Sequence, residues 1–441
     1  MRELVKTIRN IYSVEELKKR INYTLLLILV YRIGSYIILP GIDPGRLASG
    51  GGGGSGILDL INMFAGGAFN RASIMSLGIM PYISASIVMQ LMGLAVPAVQ
   101  KMQREGESGR KKIQKYTRYL TIVICIFQAP SYLSLYAQGA IINPSAWFYI
   151  QSIAILTAGT MFVTWLGERI TDRGVGNGVS LIIAIGILAN MPMAIFGEFA
   201  AKLSDGGMVL LLVEIAALFF VILACVLLVQ GTRRIPVHSA KRIVNQRGGR
   251  QAVAQGQRSY IPLKINQAGV MPIIFAQALM FLPGLIFSNT SSFSDPSRFG
   301  YNAVFFILIV LFTYFYTAIT MNPNQMADEL KRNGAFIPGV KPGKNTAEFI
   351  DSLLSRLILP GSIFLGFIAI LPAFAMAANI QQAFAYFYGG TSLLIMVGVV
   401  LDTLQQVESY LLNNEYDGLM KGGKMKGRNT NVAPVTVPQT I

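Results

Sequence analysis

At 441 residues the chain has the length of about three soluble domains, but its composition excludes them. Hydrophobic residues make up 53% and Asp, Glu, Lys and Arg only 13%, about half the charged share of roughly 25% usual in soluble domains, and the mean hydropathy is +0.52. With 37 Lys and Arg against 21 Asp and Glu the formal charge is +16, so the few polar segments are strongly basic, and disorder, collagen and a disulfide scaffold are excluded too.

An apolar stretch needs about 20 residues to cross roughly 30 Å of hydrocarbon. Ten stretches predict spans: 22–39, 74–97, 116–137, 146–168, 179–197, 207–230, 268–289, 302–321, 354–377 and 382–410. Ahead of them, residues 1–21 carry six Lys or Arg and three Glu with no small-residue cleavage site. They predict an amphipathic surface helix (VEELKKRI) rather than a removable signal. An even number of spans places both ends of the chain on one side. Thirty Lys and Arg fall in 1–21, 98–115, 231–264, 322–350, the tail 411–441 and the pair Arg169 and Arg173, against Arg46, Arg71, Lys202 and Arg298 in the alternate loops. That imbalance predicts cytoplasmic termini and large cytoplasmic loops at 231–264 and 322–350.

Between the first two spans, residues 49–56 read SGGGGGSG, a flexible tether whether natural or engineered. The apolar piece that follows, ILDLINMFAGGAF at 57–69, is too short to cross and predicts a half-helix on the non-cytoplasmic side. The second span contains Gly78-Ile79-Met80-Pro81 and the seventh Gly269-Val270-Met271-Pro272; the fifth opens on Gly178-Val179-Ser180-Leu181-Ile182-Ile183, and the tenth contains Gly390-Thr391-Ser392-Leu393-Leu394-Ile395. These echoes occupy the second and fifth helices of each set of five. They predict two related halves, 22–200 and 201–410, with the working site between them. Pro81 and Pro272 predict kinks within their spans, because proline removes a backbone hydrogen bond. Ser84, Gln90, Asn266, Gln267 and Gln277 lie near them and are suited to bonding across a helix pair at about 1 kcal/mol or less each.

Catalytic chemistry finds little support. Cys125 and Cys225 sit in apolar runs without metal-ligand spacing, His238 is the one histidine, and no dinucleotide, P-loop, zinc-protease or nucleophile-elbow motif is present. No cofactor and no metal site are expected.

Several long motifs carry a resemblance. LGIMPYISASIVMQL at 77–91, REGESGR at 104–110, WLGERITDRGVGNGVSLII at 165–183, AFIPGVKPG at 335–343 and FYGGTSLLI at 387–395 resemble, in order, the signatures of the SecY family, the channel-forming subunit of the bacterial protein translocase. The resemblance runs from the first span to about Arg428. It implies an all-α polytopic fold in which two five-helix halves clamp an hourglass pore that opens sideways between helices two and seven. It implies a pore ring of Ile79, Ile83, Ile183, Ile274 and Ile395, and a lateral gate that includes Ser84, Gln90, Asn266 and Leu282. The half-helix would be a plug, with Ile57, Leu58, Leu60, Ile61, Met63 and Phe64 as its apolar residues. Arg242, Arg247, Arg250, Arg258 and Lys341 would dock the ribosome and the SecA motor. Small SecE-like and SecG-like subunits, secretory polypeptide with its signal sequence, and the lipid of the inner membrane are the other implied partners. At Lys341 many relatives carry Arg, and lysine keeps the charge while losing the bidentate fork.

Physical chemistry favours such a ring. Branched aliphatic side chains offer water no hydrogen bond, so a narrow ring dewets and blocks ions, yet it parts around a peptide of any sequence. A side exit lets each segment choose: ten Leu-like residues gain roughly 3–6 kcal/mol in hydrocarbon, while one central Lys or Asp costs about 2.5–3.5. Two alternatives stay open, a secondary transporter and a scaffold without a pore. A transporter usually places carboxylates near the midplane, and the candidates for that role are few: Glu214, without an obvious partner, Asp402, late in the tenth span, and Arg32, more easily paired than catalytic.

Overall fold

A computed structural model describes residues 14–43, 45–46, 62–135, 138–204, 207–239, 243–245, 252–254, 258–286, 298–378 and 380–421. Ten principal helices follow the ten predicted spans: α1 (Glu15–Gly34), α2 (Met80–Ala95), α3 (Glu107–Leu135), α4 (Ala146–Arg173), α5 (Gly178–Ser204), α6 (Met208–Gln230), α7 (Met271–Ile286), α8 (Phe299–Thr320), α9 (Lys344–Ala377) and α10 (Gly390–Lys421). Among the described residues six helices are by themselves long and apolar enough to cross a membrane. The helix over Met80–Gly93 and the one over Pro97–Gln103 pass that test together across a 102° bend. The other three fall short for local reasons: α1 and α3 open on charged turns, and α7 has 16 residues.

Two expectations about local structure need correction. Pro81 and Pro272 do not kink their helices. Each is the second residue of one, where a missing N–H costs little because the first four have no helical partner. Gly78 and Gly269 precede them at φ +55° and +63°, a left-handed turn that redirects the chain into the helix. The other echo behaves alike: Gly178 opens α5 and Gly390, at φ +65°, opens α10. The internal repeat therefore marks four helix starts. As a result the first span ends at Gly34, residues 74–79 ahead of α2 are turn, and so are residues 386–387 ahead of α10.

The chain is also not wholly helical. On the 231–264 loop, β1 (Thr232–Ser239) pairs antiparallel with β4 (Arg258–Lys264), and β5 (Ala335–Phe336) adds to the other edge of β1. A separate short pair joins β2 (Ile243–Asn245) and β3 (Ala252–Ala254).

Packing divides into four apolar clusters. One lies among α3, α4 and the chain ahead of α2 (Ala68, Phe69, Leu133, Leu156). A second fills α6 to α10 (Cys225, Ile273, Ile309, Leu365, Leu394), and a third sits beneath the sheet. The fourth is central, and α5 dominates it (Ile182, Ile183, Ile187). Helix α5 packs on α4, α6 and α10, and so joins elements from both ends of the chain. Close approach at α4 and α5 depends on glycine: a Cβ on Gly178 would lie 2.0 Å from the Gly167 carbonyl oxygen. Asn177 caps α5, its Oδ1 accepting from the backbone N–H of Val179 at 3.1 Å and of Ser180 at 3.4 Å.

The helix-start reading separates proline from glycine. Pro81→Ala and Pro272→Ala should shift stability by no more than about 1 kcal/mol, whereas Gly78→Ala and Gly269→Ala, forced into a left-handed conformation, should cost about 1–2 kcal/mol. Thermal melting in detergent measures both. A proline variant that lost as much as the glycine variants would return the prolines to a kink-forming role.

Candidate functional site: a central isoleucine cluster

Ile79, the residue that caps α2, is 5% exposed, Ile183 on α5 is 4% and Ile395 on α10 is 2%. Ile83 on α2 and Ile274 on α7 are partly buried against the same cluster. All five sit at or within two turns of a helix start, so the repeated starts bring them together. Met63 and Phe64 belong to this cluster as well. They lie on a single helical turn, 62–64, that leads through Gly66 and Gly67 toward α2. Ile57, Leu58, Leu60 and Ile61 lie outside the described residues.

The segment over 62–79 is held from several sides. Tyr132 donates its hydroxyl to the Phe69 carbonyl at 2.8 Å, Leu39 N–H bonds the Ala72 carbonyl at 2.8 Å, and Ile74 N–H bonds the Ile37 carbonyl at 2.9 Å. A Cβ on Gly186 would meet the Phe64 carbonyl oxygen at 2.6 Å, so α5 offers bare backbone where this segment crosses it.

The polar residues on α2 and ahead of α7 bond locally. Ser84 donates to the Met80 carbonyl (3.1 Å), Gln90 to the Ser86 hydroxyl (3.4 Å) and Asn266 to the Gly269 carbonyl (3.1 Å), while Gln267 accepts from Lys264 N–H (3.3 Å). Each of these bonds spans four residues or fewer, in place of the cross-helix bonds expected from the sequence. Asn266 keeps a buried Oδ1 without a partner among the described residues. Leu282 lies on α7.

On the basic side the two large loops share one core. Ile235, Val237 and Leu263 of the sheet pack with Ile337 and with Ile350, Leu353 and Leu354 of α9. Asn322 caps the intervening helix Pro323–Arg332. Arg258 lies on β4 opposite His238 in register. Lys341 is exposed, and its carbonyl accepts from the Thr346 hydroxyl at 2.9 Å. Arg242, Arg247 and Arg250 lie outside the described residues. Part of the charge on this side is paired locally: Lys112 meets Glu105 and Lys111 meets Glu107, both at 2.9 Å. The hydrogen bond from Lys111, with its charge, holds the Glu107 carboxyl below the usual range.

The protein-family model SecY matches residues 73–404. Protein translocase subunit SecY of Escherichia coli strain K12 is 41% identical over 433 residues, covering 93% of this chain and 96% of the relative. The subunit of the same name from Pseudomonas aeruginosa is 43% identical over 434 residues, covering 94% and 96%. The chain belongs to the SecY family. Its fold matches a solved structure described as "The structure of a protein conducting channel", with a TM-score of 0.62 at 18% identity over 92% of this chain and 95% of the other. A second, described as "The plug domain of the SecY protein stablizes the closed state of the translocation channel and maintains a membrane seal", aligns with a TM-score of 0.60. The SecY match spans the chain from just ahead of α2 into α10 and so contains every helix start that feeds the isoleucine cluster.

This SecY-family chain also buries charges that sequence reading left unpaired. Lys202 on α5 lies 3.1 Å from Glu214 on α6 and 3.6 Å from Glu198 one turn back, with the three side chains 10%, 6% and 1% exposed. Glu198 Oε2 accepts from Gln381 N–H at 2.9 Å, in the chain ahead of α10. Glu214 therefore has a partner. The four-residue spacing of Glu198 and Lys202 was legible as a helical pair; the third member comes from another helix. A second pair, Arg118 on α3 with Glu168 on α4, is a bidentate fork, with Nε to Oε1 at 3.0 Å and Nη2 to Oε2 as the other bond. Lys202→Met would leave two carboxylates buried without their cation, at a cost of about 3–5 kcal/mol. Melting in detergent should fall accordingly, and an unchanged midpoint would show that the trio is not a joint between α5, α6 and the α10 approach.

Proposed function

We propose that this multi-pass membrane protein is a protein-conducting channel that passes unfolded secretory polypeptide and is not an enzyme. The observation that carries the reading is the convergence of five isoleucines from α2, α5, α7 and α10 in one apolar cluster, with Met63 and Phe64 packed against it. Such a ring closes by excluding water and opens without demanding any side-chain match from the passing chain. Ile79, Ile83, Ile183, Ile274 and Ile395 form the ring, and the segment around 57–69 is the plug.

Lateral release fits the packing. Helix α5 ties the two halves together on one side, through α6, α10 and the helix Gln382–Ala385. On the other side the polar residues of α2 and of the α7 approach satisfy themselves locally, which leaves that seam free to part. Ser84, Gln90, Asn266 and Leu282 line this gate. The halves 22–200 and 201–410 move as units about α5, with residues 1–21 on the membrane surface.

The joined basic loops give the driving machinery one platform rather than two independent arms. Its charge suits ribosomal RNA phosphates, which attract Lys and Arg without base readout, and acidic patches on a SecA-type motor. Arg242, Arg247, Arg250, Arg258 and Lys341 are the contact residues proposed. SecE-like and SecG-like subunits complete the complex in the inner membrane, with both termini and the platform in the cytoplasm.

Proteoliposomes test the function directly. Uptake of a signal-bearing polypeptide that depends on the motor and ATP is expected; gradient-driven uptake of a small solute would favour the transporter reading. Replacing two or more ring isoleucines by Ser should raise resting ion conductance in planar bilayers, and conductance at the parent level would remove them from the ring. Ser84→Cys with Leu282→Cys should cross-link under oxidation and stop export, and free export after efficient cross-linking would move the gate elsewhere.

A further inference from the structure

Two arginines converge on one backbone oxygen beside the plug. Arg32, near the end of α1, donates from Nη1 to the Gly66 carbonyl at 3.2 Å, and Arg71 donates from Nη2 to the same oxygen at 2.8 Å. Both guanidinium groups lie over the Tyr36 ring, at 5.6 and 4.2 Å from its centroid. Tyr31, one residue before Arg32, approaches the Ala65 carbonyl at 3.5 Å. Among the described residues no carboxylate pairs with Arg32 or Arg71. A carbonyl dipole and an aromatic face are thus what these two like charges share.

The bonded carbonyl occupies a particular place in the chain. Gly66 and Gly67 have φ +65° and +80°, conformations open to glycine and strained for other residues. On the α2 side of this pair the segment is fixed to α3 through Tyr132 and to residues 37–39 through backbone bonds. On the other side lie Met63 and Phe64, against the isoleucines. The glycine pair lies between a fixed stem and an apolar tip, and local bonds cross it, from Gly67 N–H to the Asn62 carbonyl at 2.9 Å and from Asn70 N–H to Asn62 Oδ1 at 3.0 Å, which a swing of the tip would have to break. A Cβ on Gly66 would sit 2.8 Å from Arg32 Nη1 and 3.0 Å from Gly186 Cα, so Gly66 is clasped between α1 and α5.

We propose that Arg32 and Arg71 form a latch that holds the plug closed by gripping the Gly66 carbonyl, and that they release it when the Met63–Phe64 tip swings about Gly66 and Gly67. The proposal rests on the plug reading above. Mutual repulsion of the two cations and the absence of an acid among the described residues make this a latch that yields rather than a lock. Arg71 stays with the fixed stem and Arg32 with α1, so a swing of the tip about Gly66 and Gly67 turns the Gly66 carbonyl out of both grips. Both are positioning residues for the plug and touch no translocating chain in the closed state.

The full-length protein, purified with its associated subunits and placed in planar bilayers, tests this. Arg32→Ala should raise resting conductance about tenfold, the factor that matches a loss of about 1.4 kcal/mol. Arg71→Gln should act in the same direction, Arg32→Lys should fall between parent and Ala, and Arg46→Ala, an exposed arginine beside Asp43, should match the parent. Epistasis separates the latch from a general role in α1 packing: once residues 57–69 are deleted, Arg32→Ala should add nothing. An equal rise in the deletion background, or parent conductance for Arg32→Ala while the deletion alone leaks, overturns the latch. If the deletion itself leaves conductance unchanged, the plug reading fails and the latch with it. Melting temperatures near the parent's show that each variant is folded.

Discussion

A helix that begins short of a membrane surface leaves its first N–H groups without helical partners, and in hydrocarbon each unsatisfied backbone group costs several kcal/mol. Such a start is tolerated where protein surrounds it. This chain places four of its helix starts around one central cluster. Proline removes a donor at α2 and α7. Asn177 and the Thr171 hydroxyl serve α5, the latter accepting from Gly178 N–H at 2.9 Å. In the first turn of α10 the Ser392 hydroxyl donates to the Tyr386 carbonyl at 2.6 Å, which ties that start to the turn before it. Because these starts meet, the first apolar residues of α2, α5, α7 and α10 meet too, in the isoleucine cluster.

Among the described residues the buried charge lies in two places, Glu168 with Arg118 between α3 and α4, and Glu198, Lys202 and Glu214 between α5 and α6. The Glu198, Lys202 and Glu214 trio spans α5 and α6, with Gln381 tying it to the chain before α10. Removing one partner from such a group costs far more than the group contributes as a whole, so the trio fixes geometry more than it adds stability. Arg32 and Arg71 present the opposite arrangement, two like charges on a carbonyl that can be given up.

The sheet built on residues 231–264 shows how a loop becomes a surface. The strand pairing from Thr232 with Lys264 to His238 with Arg258 stiffens the 231–264 arm, and β5 joins it to the loop before α9. Burial of Ile235, Val237, Leu263 and Ile337 against α9 then couples anything bound there to a helix that packs on α8 and α10.

Hydropathy located all ten helices because lipid selects for summed apolar content, a property of each segment taken alone. Charge sidedness and the repeated Gly-x-Met-Pro stretches were equally local, and the family motifs followed from them. What a Gly or Pro does in those stretches was not local. Pro81 and Pro272 read as kinks until the chain ahead of them proved to be turn, since a proline costs a bond inside a helix and almost none at its start. Glu214 reads as lacking an obvious partner and Arg32 as paired with a group the sequence does not name, because Lys202 and the Gly66 carbonyl come from other elements. The sequence by itself determined that this protein lives in lipid and where along the chain its ten principal helices fall. Tertiary structure alone decided which isoleucines face one another, which charges share a site and which carbonyl two arginines hold, because each depends on groups far apart in the chain meeting in a medium too apolar to leave them unpaired.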